Sequence, residues 1–171
     1  GTAQDFTTPV TYTATGADGA SRVWTVEAVV MRSPVLPGRY ADPHVAVFGN
    51  RFYIYPTTDG FEGWSGTRFS VFSSTDLVHW EDHGVILDLG PDVTWADDRA
   101  WAPAIAEKNG RYYFYFSAAT NIGVAVADSP TGPFRDPLGR PLIAAGQFSG
   151  QMIDPQVFVD DDGSAYLYFG Q

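Results

Sequence analysis

The sequence predicts an all-β fold, and both its composition and an internal repeat point to that class. Aromatic residues make up 15% of the 171 residues, and 18 glycines and 12 prolines interrupt them, a mixture that favours strands and turns over long helices. A three-residue phrase ending in proline recurs at residues 41–43, 101–103 and 153–155. Each copy opens a short apolar strand that leads through a turn into a tyrosine-rich strand. The prolines are separated by 60 and then 52 residues, which is near the repeat length of propeller blades.

The first part of the chain predicts a β-hairpin. Strands are expected over residues 10–15 and 21–30, joined by a glycine-containing turn at 16–19. Apolar and polar residues alternate in the second strand with the period of two that is typical of a strand with one buried face. A lone hairpin is only marginally stable in water, so we expect this one to join a larger sheet. It resembles the last two strands of an immunoglobulin-like module.

These patterns divide the chain into three segments. Residues 1–32 are expected to be the C-terminal hairpin of an immunoglobulin-like β module. Residues 33–38, Ser-Pro-Val-Leu-Pro-Gly, predict a linker because prolines stop ladder pairing. Residues 39–171 are expected to form the N-terminal half of a β-propeller domain.

The propeller segment contains two blades and the start of a third. Blade one is predicted to have a hairpin that turns at 49–50 and a second hairpin over 69–87. Blade two repeats this order, with a turn at 109–110 and a third strand at 122–127. Blade three has one hairpin, for which we predict a type I′ turn at 162–163. Propellers have about 4 to 8 four-stranded blades, so the chain supplies about two and a half.

Charge and composition exclude several classes of partner and site. The chain has 20 acidic and 10 basic residues, for a formal net charge of −10, whereas nucleic acids and anionic membrane surfaces attract basic patches. We therefore expect no nucleic-acid or membrane partner. No apolar stretch reaches the roughly 18 residues of a membrane-spanning helix. The absence of cysteine excludes a disulfide framework and a thiolate metal site.

Two aspartates are the main candidates for chemistry. Asp42 and Asp154 occupy the same position in the first and third copies of the phrase, while Ala102 occupies it in the second. A single Asp-Pro pair is more often a turn in which the carboxylate accepts a backbone N–H. A structural requirement of this kind should apply to every blade, whereas a catalytic one need not. The repeat therefore favours a catalytic role for the two aspartates.

The propeller segment resembles glycoside hydrolase family 43 over about residues 36–171. The motifs that carry the resemblance, in agreeing order and spacing, are Arg-Tyr-Ala-Asp-Pro at 39–43, Arg-Ala-Trp-Ala-Pro at 99–103, Ile-Gly-Val-Ala at 122–125, Ser-Pro-Thr-Gly-Pro-Phe at 129–134, Met-Ile-Asp-Pro at 152–155 and Asp-Asp-Gly at 161–163. The resemblance implies a five-bladed propeller that hydrolyses arabinose- or xylose-containing plant polysaccharides or oligosaccharides with inversion. It also implies an extracellular, secreted protein.

Carried onto the matching positions, the resemblance makes Asp42 the general base and Asp154 the aspartate that raises the pKa of the general acid and orients it. The acid is a glutamate in this family, about one blade beyond the second aspartate. Glu62, Glu81 and Glu107 fall in the wrong blades. We therefore expect the acid to be supplied outside this chain, by a companion chain that carries the remaining blades, and the chain alone to be inactive.

Four other residues are candidates for substrate binding. Trp101 precedes the alanine of the second phrase, where an indole face could pack on a sugar ring or, equally, between blades. Phe61, Trp64 and Arg99 lie in predicted loops between strands and are expected to shape subsites. Arg99 has a structural alternative, a surface ion pair with Asp97 or Asp98.

We predict no metal centre and no cofactor, and leave open one structural cation in the propeller channel, which some relatives carry. The acidic run at 160–162 lacks the alternating carboxylates and the later glutamate of an EF-hand. His44 is expected near the axis, while His79 and His83 belong to an outer hairpin, so shared ligation is not expected.

An alternative function is a non-catalytic carbohydrate-binding or structural propeller. It rests on the same repeat but requires no acid. A glutamate about one blade after Gln171 would favour the enzyme, and its absence would favour the alternative.

Overall fold

The computed structural model describes residues 4–30 and 32–170 of the chain. The chain divides between Leu36 and Pro37 into two compact units. Over the described residues the regular structure consists of strands and one 3₁₀ turn, Glu62–Trp64, which confirms the all-β prediction. None of the helical segments in this part of the chain is long and apolar enough to cross a membrane.

The first unit contains a hairpin of β1 (Val10–Thr15) and β2 (Ser21–Val26). The two strands are antiparallel, and their pairing ends where Val10 faces Val26. The predicted second strand was therefore four residues too long, because β1 offers no partner beyond Val10. The origin of this hairpin in an immunoglobulin-like module stays a prediction.

The second unit contains three successive antiparallel sheets. Its strands are β3 (Tyr40–Phe48), β4 (Arg51–Thr58), β5 (Arg68–Ser74), β6 (Glu81–Asp88), β7 (Ala100–Lys108), β8 (Arg111–Ala118), β9 (Asn121–Ala127), β10 (Gln156–Val159) and β11 (Ala165–Tyr168). They pair in the orders β3-β4-β5-β6, β7-β8-β9 and β10-β11. One copy of the repeated phrase lies near the start of β3, one near the start of β7 and one directly before β10, so the sheets correspond to the predicted blades.

The outer edge of the second sheet differs from that of the first. In place of a fourth strand, β9 is flanked by two isolated bridges, Val126 with Arg135 and Ile122 with Ile143. The segment beside it contains four prolines, at 130, 133, 137 and 141. Because proline has no backbone N–H to donate to a ladder, this segment cannot pair continuously.

The turns of the sheets also differ. Asn109 and Gly110 both have positive φ, 56° and 75°, as a type I′ hairpin turn requires. At the third sheet only Gly163 is left-handed, and its N–H donates to the Asp160 carbonyl at 2.9 Å. The predicted type I′ turn at 162–163 is therefore wrong. The extra aspartates lengthen the loop, and the Asp162 carboxylate stabilises it by accepting the Ser164 N–H at 2.7 Å.

An aromatic core fills the space between the first and second sheets. Phe69 and Phe114 meet edge to face with ring centroids 5.1 Å apart, and Phe114 also contacts Phe134 at 5.2 Å. Tyr55 is fully buried and donates its hydroxyl to the Pro130 carbonyl at 2.7 Å. Burial raises the pKa of Tyr55 far above its usual range, so the hydroxyl stays a donor. This core fixes the two phrases relative to each other.

One glycine of β9 is required by close packing in this core. A Cβ added at Gly123 would lie 2.6 Å from Cε2 of Phe116, whose side chain is fully buried. Gly123→Ala is expected to destabilise the fold by about 1–3 kcal/mol through overpacking. Urea unfolding would measure the loss, and Phe116→Leu in the same background should recover part of it. A Gly123→Ala protein with wild-type stability would contradict this account of the packing.

Candidate active site

Each copy of the repeated phrase contains one residue in the left-handed backbone conformation. Asp42, Ala102 and Asp154 all have positive φ, at 45°, 39° and 54°. In the first two sheets the strand register also shifts there, between Ala41 and His44 and between Trp101 and Ala104. A left-handed non-glycine residue costs roughly 1–2 kcal/mol, and such strain is concentrated at functional sites. Bulges of this kind re-aim a side chain away from the regular alternation of the strand.

The two aspartates lie on two adjoining cavities. The first, of about 380 Å³, is lined by Asp42, Asp154, further residues of β3 and β4, the segment after β4 and Trp101 of β7. The second, of about 220 Å³, shares both aspartates, and the three phrase prolines contribute to its wall. Because each phrase belongs to a different sheet, the sheets converge on this second cavity, which we call the channel. The first cavity is called the outer cavity, and Asp42 and Asp154 lie where the two cavities meet.

The two carboxylates are coupled electrostatically. Burial, and after it the negative charge of Asp42, raises the pKa of Asp154. The structure thus favours the protonated form of Asp154 more than water would, because the group is partly buried and a second charge lies near it. This coupling is the first physical sign that the aspartates form one site.

Two hydroxyl groups that sequence reasoning missed hold the phrases in place. Thr57 Oγ1 lies 3.2 Å from Asp42 Oδ2 and accepts the Ala102 N–H at 2.7 Å. Ser117 Oγ accepts the Asp154 N–H at 2.9 Å. Each hydroxyl therefore anchors the left-handed residue of the next sheet. A signal for both exists in the repeat, because Thr57 and Ser117 each follow their own phrase by the same interval.

The predicted aromatic residues are only partly brought together. Trp101 and Trp64 both line the outer cavity, and the Trp101 indole N–H donates to the Trp64 carbonyl at 2.8 Å. Phe61 is exposed and Arg99 lies 3.5 Å from Asp98, Nε to Oδ2. Neither Phe61 nor Arg99 lines the cavity. Thr58 and Asp59 do line it, and neither was singled out in the sequence.

The three histidines have separate surroundings. His44 Nδ1 lies 3.3 Å from Gln156 Oε1 in the channel wall, whereas His79 contacts Asp76 and His83 contacts Ser73. Within residues 4–30 and 32–170, no group of three or more His, Asp or Glu side chains is arranged to hold a metal ion. The absence of a cofactor and the channel cation stay predictions.

The glutamates of the chain lie away from the aspartate pair. Among the described residues that line the two cavities there is no glutamate, and Glu62, Glu81 and Glu107 all lie outside them. The two cavities therefore contain the carboxyl groups of Asp42 and Asp154 but no glutamate that could be the predicted general acid.

Sheets that converge on a channel, with two carboxylates and two indole rings at its mouth, are typical of the β-propeller glycoside hydrolases. The family model for Glycosyl hydrolases family 43 matches residues 31–171. The chain belongs to this family, and the resemblance stated from its motifs is confirmed.

Curated relatives agree with the family. A xylosidase/arabinosidase 43A of Humicola insolens is 41% identical over 156 residues, covering 81% of this chain and 46% of the relative. An arabinoxylan arabinofuranohydrolase of Bacillus subtilis is 40% identical over 158 residues, covering 76% of this chain and 31% of the relative. The chain thus spans less than half the length of either relative.

Solved structures confirm the partial propeller. An α-L-arabinofuranosidase of Clostridium thermocellum matches with a TM-score of 0.67 at 40% identity, over 76% of this chain and 47% of that one. A family 43 β-xylosidase/α-arabinofuranosidase from a compost microbial metagenome, solved with xylotriose, matches with a TM-score of 0.66 at 40% identity, over 77% of this chain and 42% of that one.

Proposed function

We propose that the complete protein is an inverting glycoside hydrolase of the α-L-arabinofuranosidase or β-xylosidase type. Its substrates would be arabinose- or xylose-containing plant cell-wall polysaccharides or oligosaccharides. The observation that carries the proposal is the coupled pair Asp42 and Asp154 on a shared cavity. The activities of the two relatives and of the two solved enzymes support the substrate class. Because polysaccharides do not cross membranes, we also propose that the protein acts outside the cell.

In this mechanism Asp42 acts as the general base. Its carboxylate accepts a proton from a water molecule while the water oxygen bonds to the anomeric carbon. The bond from that carbon to the leaving oxygen breaks on the opposite face, and a protonated carboxyl group donates its proton to this oxygen. The acid and base of inverting enzymes stand roughly 6.5–9.5 Å apart to leave room for the water.

Asp154 has a different role in the proposal. Its negative charge would raise the pKa of the neighbouring acid by like-charge repulsion, so that the acid stays protonated near neutral pH. The same type of coupling already acts on Asp154 itself, through Asp42. Ser117 holds the Asp154 backbone in position for this role.

The exposed faces of the outer sheets support the proposal that further blades complete the ring. Val45, Ile105 and Val157 occupy equivalent positions of the repeat, yet Val45 is 57% exposed while Ile105 and Val157 are 4% and 8% exposed. On the third sheet Tyr166 is 47% exposed, against 7% for Tyr53 at the equivalent position. An apolar sheet face that is buried in one blade and exposed in another indicates that a further sheet packs on the exposed face.

We propose that polypeptide outside these 171 residues, in a companion chain or in a longer form of this chain, covers both faces. It would also supply the acidic glutamate. Paired sheet faces would bury the bare valines and aromatic rings as Ile105 and Tyr53 are buried now.

Trp101 and Trp64 are proposed to form the sugar platform. Their indole rings line the cavity that contains the base, and an aromatic face packs well against the C–H groups of a sugar ring. Phe61 and Arg99 would contact only sugars that extend beyond this cavity. Phe61 is tied to the same turn, since its carbonyl accepts the Trp64 N–H at 3.2 Å.

The stereochemistry of the product tests the proposed function. The full-length protein is expected to hydrolyse 4-nitrophenyl α-L-arabinofuranoside or 4-nitrophenyl β-D-xyloside, and proton NMR should show the inverted anomer first. A retained anomer would contradict the mechanism. Binding of xylotriose without hydrolysis of either glycoside or of xylotriose would instead favour the carbohydrate-binding or structural propeller.

A further inference from the structure

Thr57 connects the proposed base to the neighbouring sheet. It lies on β4 opposite Ala41, is 5% exposed, and contacts both Asp42 and Ala102. We infer that Thr57 is a positioning residue for the general base, acting through one oriented hydroxyl group. This inference rests on the proposed function, because it takes Asp42 as the base.

The direction of the Thr57 hydrogen follows from counting donors and acceptors. A hydroxyl group has one hydrogen to donate and two lone pairs. The Ala102 N–H can only donate, so at 2.7 Å it occupies a lone pair of Thr57 Oγ1. The single hydrogen is then free for Asp42 Oδ2 at 3.2 Å, and an ionised carboxylate can only accept it. The backbone of one blade thus orients the hydroxyl toward the carboxylate of another.

This contact divides the two oxygens of Asp42 between two tasks. Oδ2 accepts the Thr57 hydroxyl, and Oδ1 remains for the attacking water. A general base must be held within hydrogen-bond reach of the proton that it takes, in a fixed direction. The left-handed backbone of Asp42 sets where the side chain starts, and Thr57 sets how its carboxylate is rotated.

Ser117 makes the same kind of contact as Thr57 at a position that has no proposed base. It faces Trp101 across β7 and β8, as Thr57 faces Ala41 across β3 and β4. It accepts the N–H of the left-handed residue in the next sheet, as Thr57 does. Its own phrase carries Ala102 where the first phrase carries Asp42, so that position offers no carboxylate for its hydrogen. The anchoring role is therefore common to the repeat, and contact with the base is specific to Thr57.

Hydroxyl deletion in the full-length protein tests the inference. Thr57→Val keeps the shape of the side chain and removes the hydroxyl, and we expect kcat on the more rapidly hydrolysed 4-nitrophenyl glycoside to fall about 10- to 100-fold, as for loss of one hydrogen bond to a charged group. KM should change less than about threefold, because the hydroxyl does not face the sugar. Thr57→Ser should keep kcat within about threefold of the wild-type value.

Thr67→Val is the matched control. Thr67 Oγ1 donates to Asp88 Oδ1 at 3.2 Å, the same distance as in the Thr57–Asp42 pair, but Asp88 lies outside both cavities. The control should keep wild-type kcat. Thr57→Ala, assayed at low temperature, serves as a second hydroxyl-free variant if Thr57→Val does not fold, and the same loss of kcat is expected.

Double variants separate the inference from the proposed function. Adding Thr57→Val to Asp42→Asn should lower kcat no further, because Thr57 acts through Asp42. Wild-type kcat in Thr57→Val, with Asp42→Asn inactive, would overturn the inference and leave the proposed function standing. Equal losses in Thr57→Ser and Thr57→Val would also overturn it. An active Asp42→Asn protein would overturn the proposed function itself.

Discussion

Asp42→Asn in the complete protein is expected to lower kcat by about 100- to 10,000-fold, the usual contribution of a general base. The amide has nearly the same shape as the carboxylate but cannot accept the proton of the attacking water. Its oxygen can still accept the Thr57 hydroxyl, so the local fold should be kept. Because the proposed sugar platform of Trp101 and Trp64 is unchanged, KM should stay within about threefold.

A 4-nitrophenyl glycoside is the right substrate for this measurement. Nitrophenolate leaves readily without protonation, so its release depends little on the general acid and the rate reports on the base. Asp128→Asn is a suitable control, since Asp128 is 90% exposed and lies outside the two cavities that contain Asp42. Added formate, a small base, should restore part of the lost rate. Turnover near the wild-type value in Asp42→Asn would disprove the assignment.

The position of both aspartates could be predicted because the chain contains its own comparison. The copy with Ala102 shows that the phrase builds a blade without a carboxylate, so Asp42 and Asp154 needed another explanation. The structure adds the physical reason for the position. All three residues are left-handed, and all three line the same channel.

The contacts between sheets, in contrast, could not be predicted from the repeat. The Thr57 hydroxyl matters only because pairing places it opposite Ala41 and because the next sheet brings the Ala102 N–H to it. Neither fact is local in the sequence. Arg99 and Phe61 belong to predicted loops, where no period fixes the direction of a side chain, and both lie outside the outer cavity.

The predicted end of the second strand and the predicted turn of the third hairpin are wrong for a related reason. Alternation predicted the second strand through Val30, but a strand ends where its partner ends, and β1 begins at Val10. At the third hairpin the dipeptide Asp162-Gly163 is a type I′ signal, yet a longer acidic loop formed around it. Local propensity is overridden by what each backbone group can pair with.

The electrostatic coupling of the pair also predicts how stability depends on pH. Burial and the charge of Asp42 raise the pKa of Asp154 in the folded protein above the ordinary value of 3.8. Ionised Asp154 therefore opposes folding at neutral pH, and this effect disappears as the pH falls below the ordinary value. Asp154→Asn should accordingly raise the melting temperature at pH 7 more than at pH 3.

The effect of Asp154→Asn on activity should be the second largest, and its signature is in the pH profile. Loss of the charge beside the general acid should let that acid ionise at lower pH, by about one pH unit. The alkaline limb of kcat against pH, which reports ionisation of the acid, should then move to lower pH. We expect kcat on xylobiose or arabinobiose to fall about 100-fold at neutral pH. The lower pKa leaves at most about tenfold less of the acid protonated, and the rest of the loss comes from the missing carboxylate that orients the acid toward the leaving oxygen.

Comparison of two substrates separates this role from that of the base. Asp154→Asn should slow hydrolysis of the disaccharide far more than that of the 4-nitrophenyl glycoside, whereas Asp42→Asn should slow both alike. The difference follows from the step that each carboxylate serves: water activation is common to both substrates, and leaving-group protonation is not. An unaltered alkaline limb, or equal losses on the two substrates, would show that Asp154 does not act through the acid. The raised pKa of Asp154 would then reflect only its burial and the charge of Asp42 beside it.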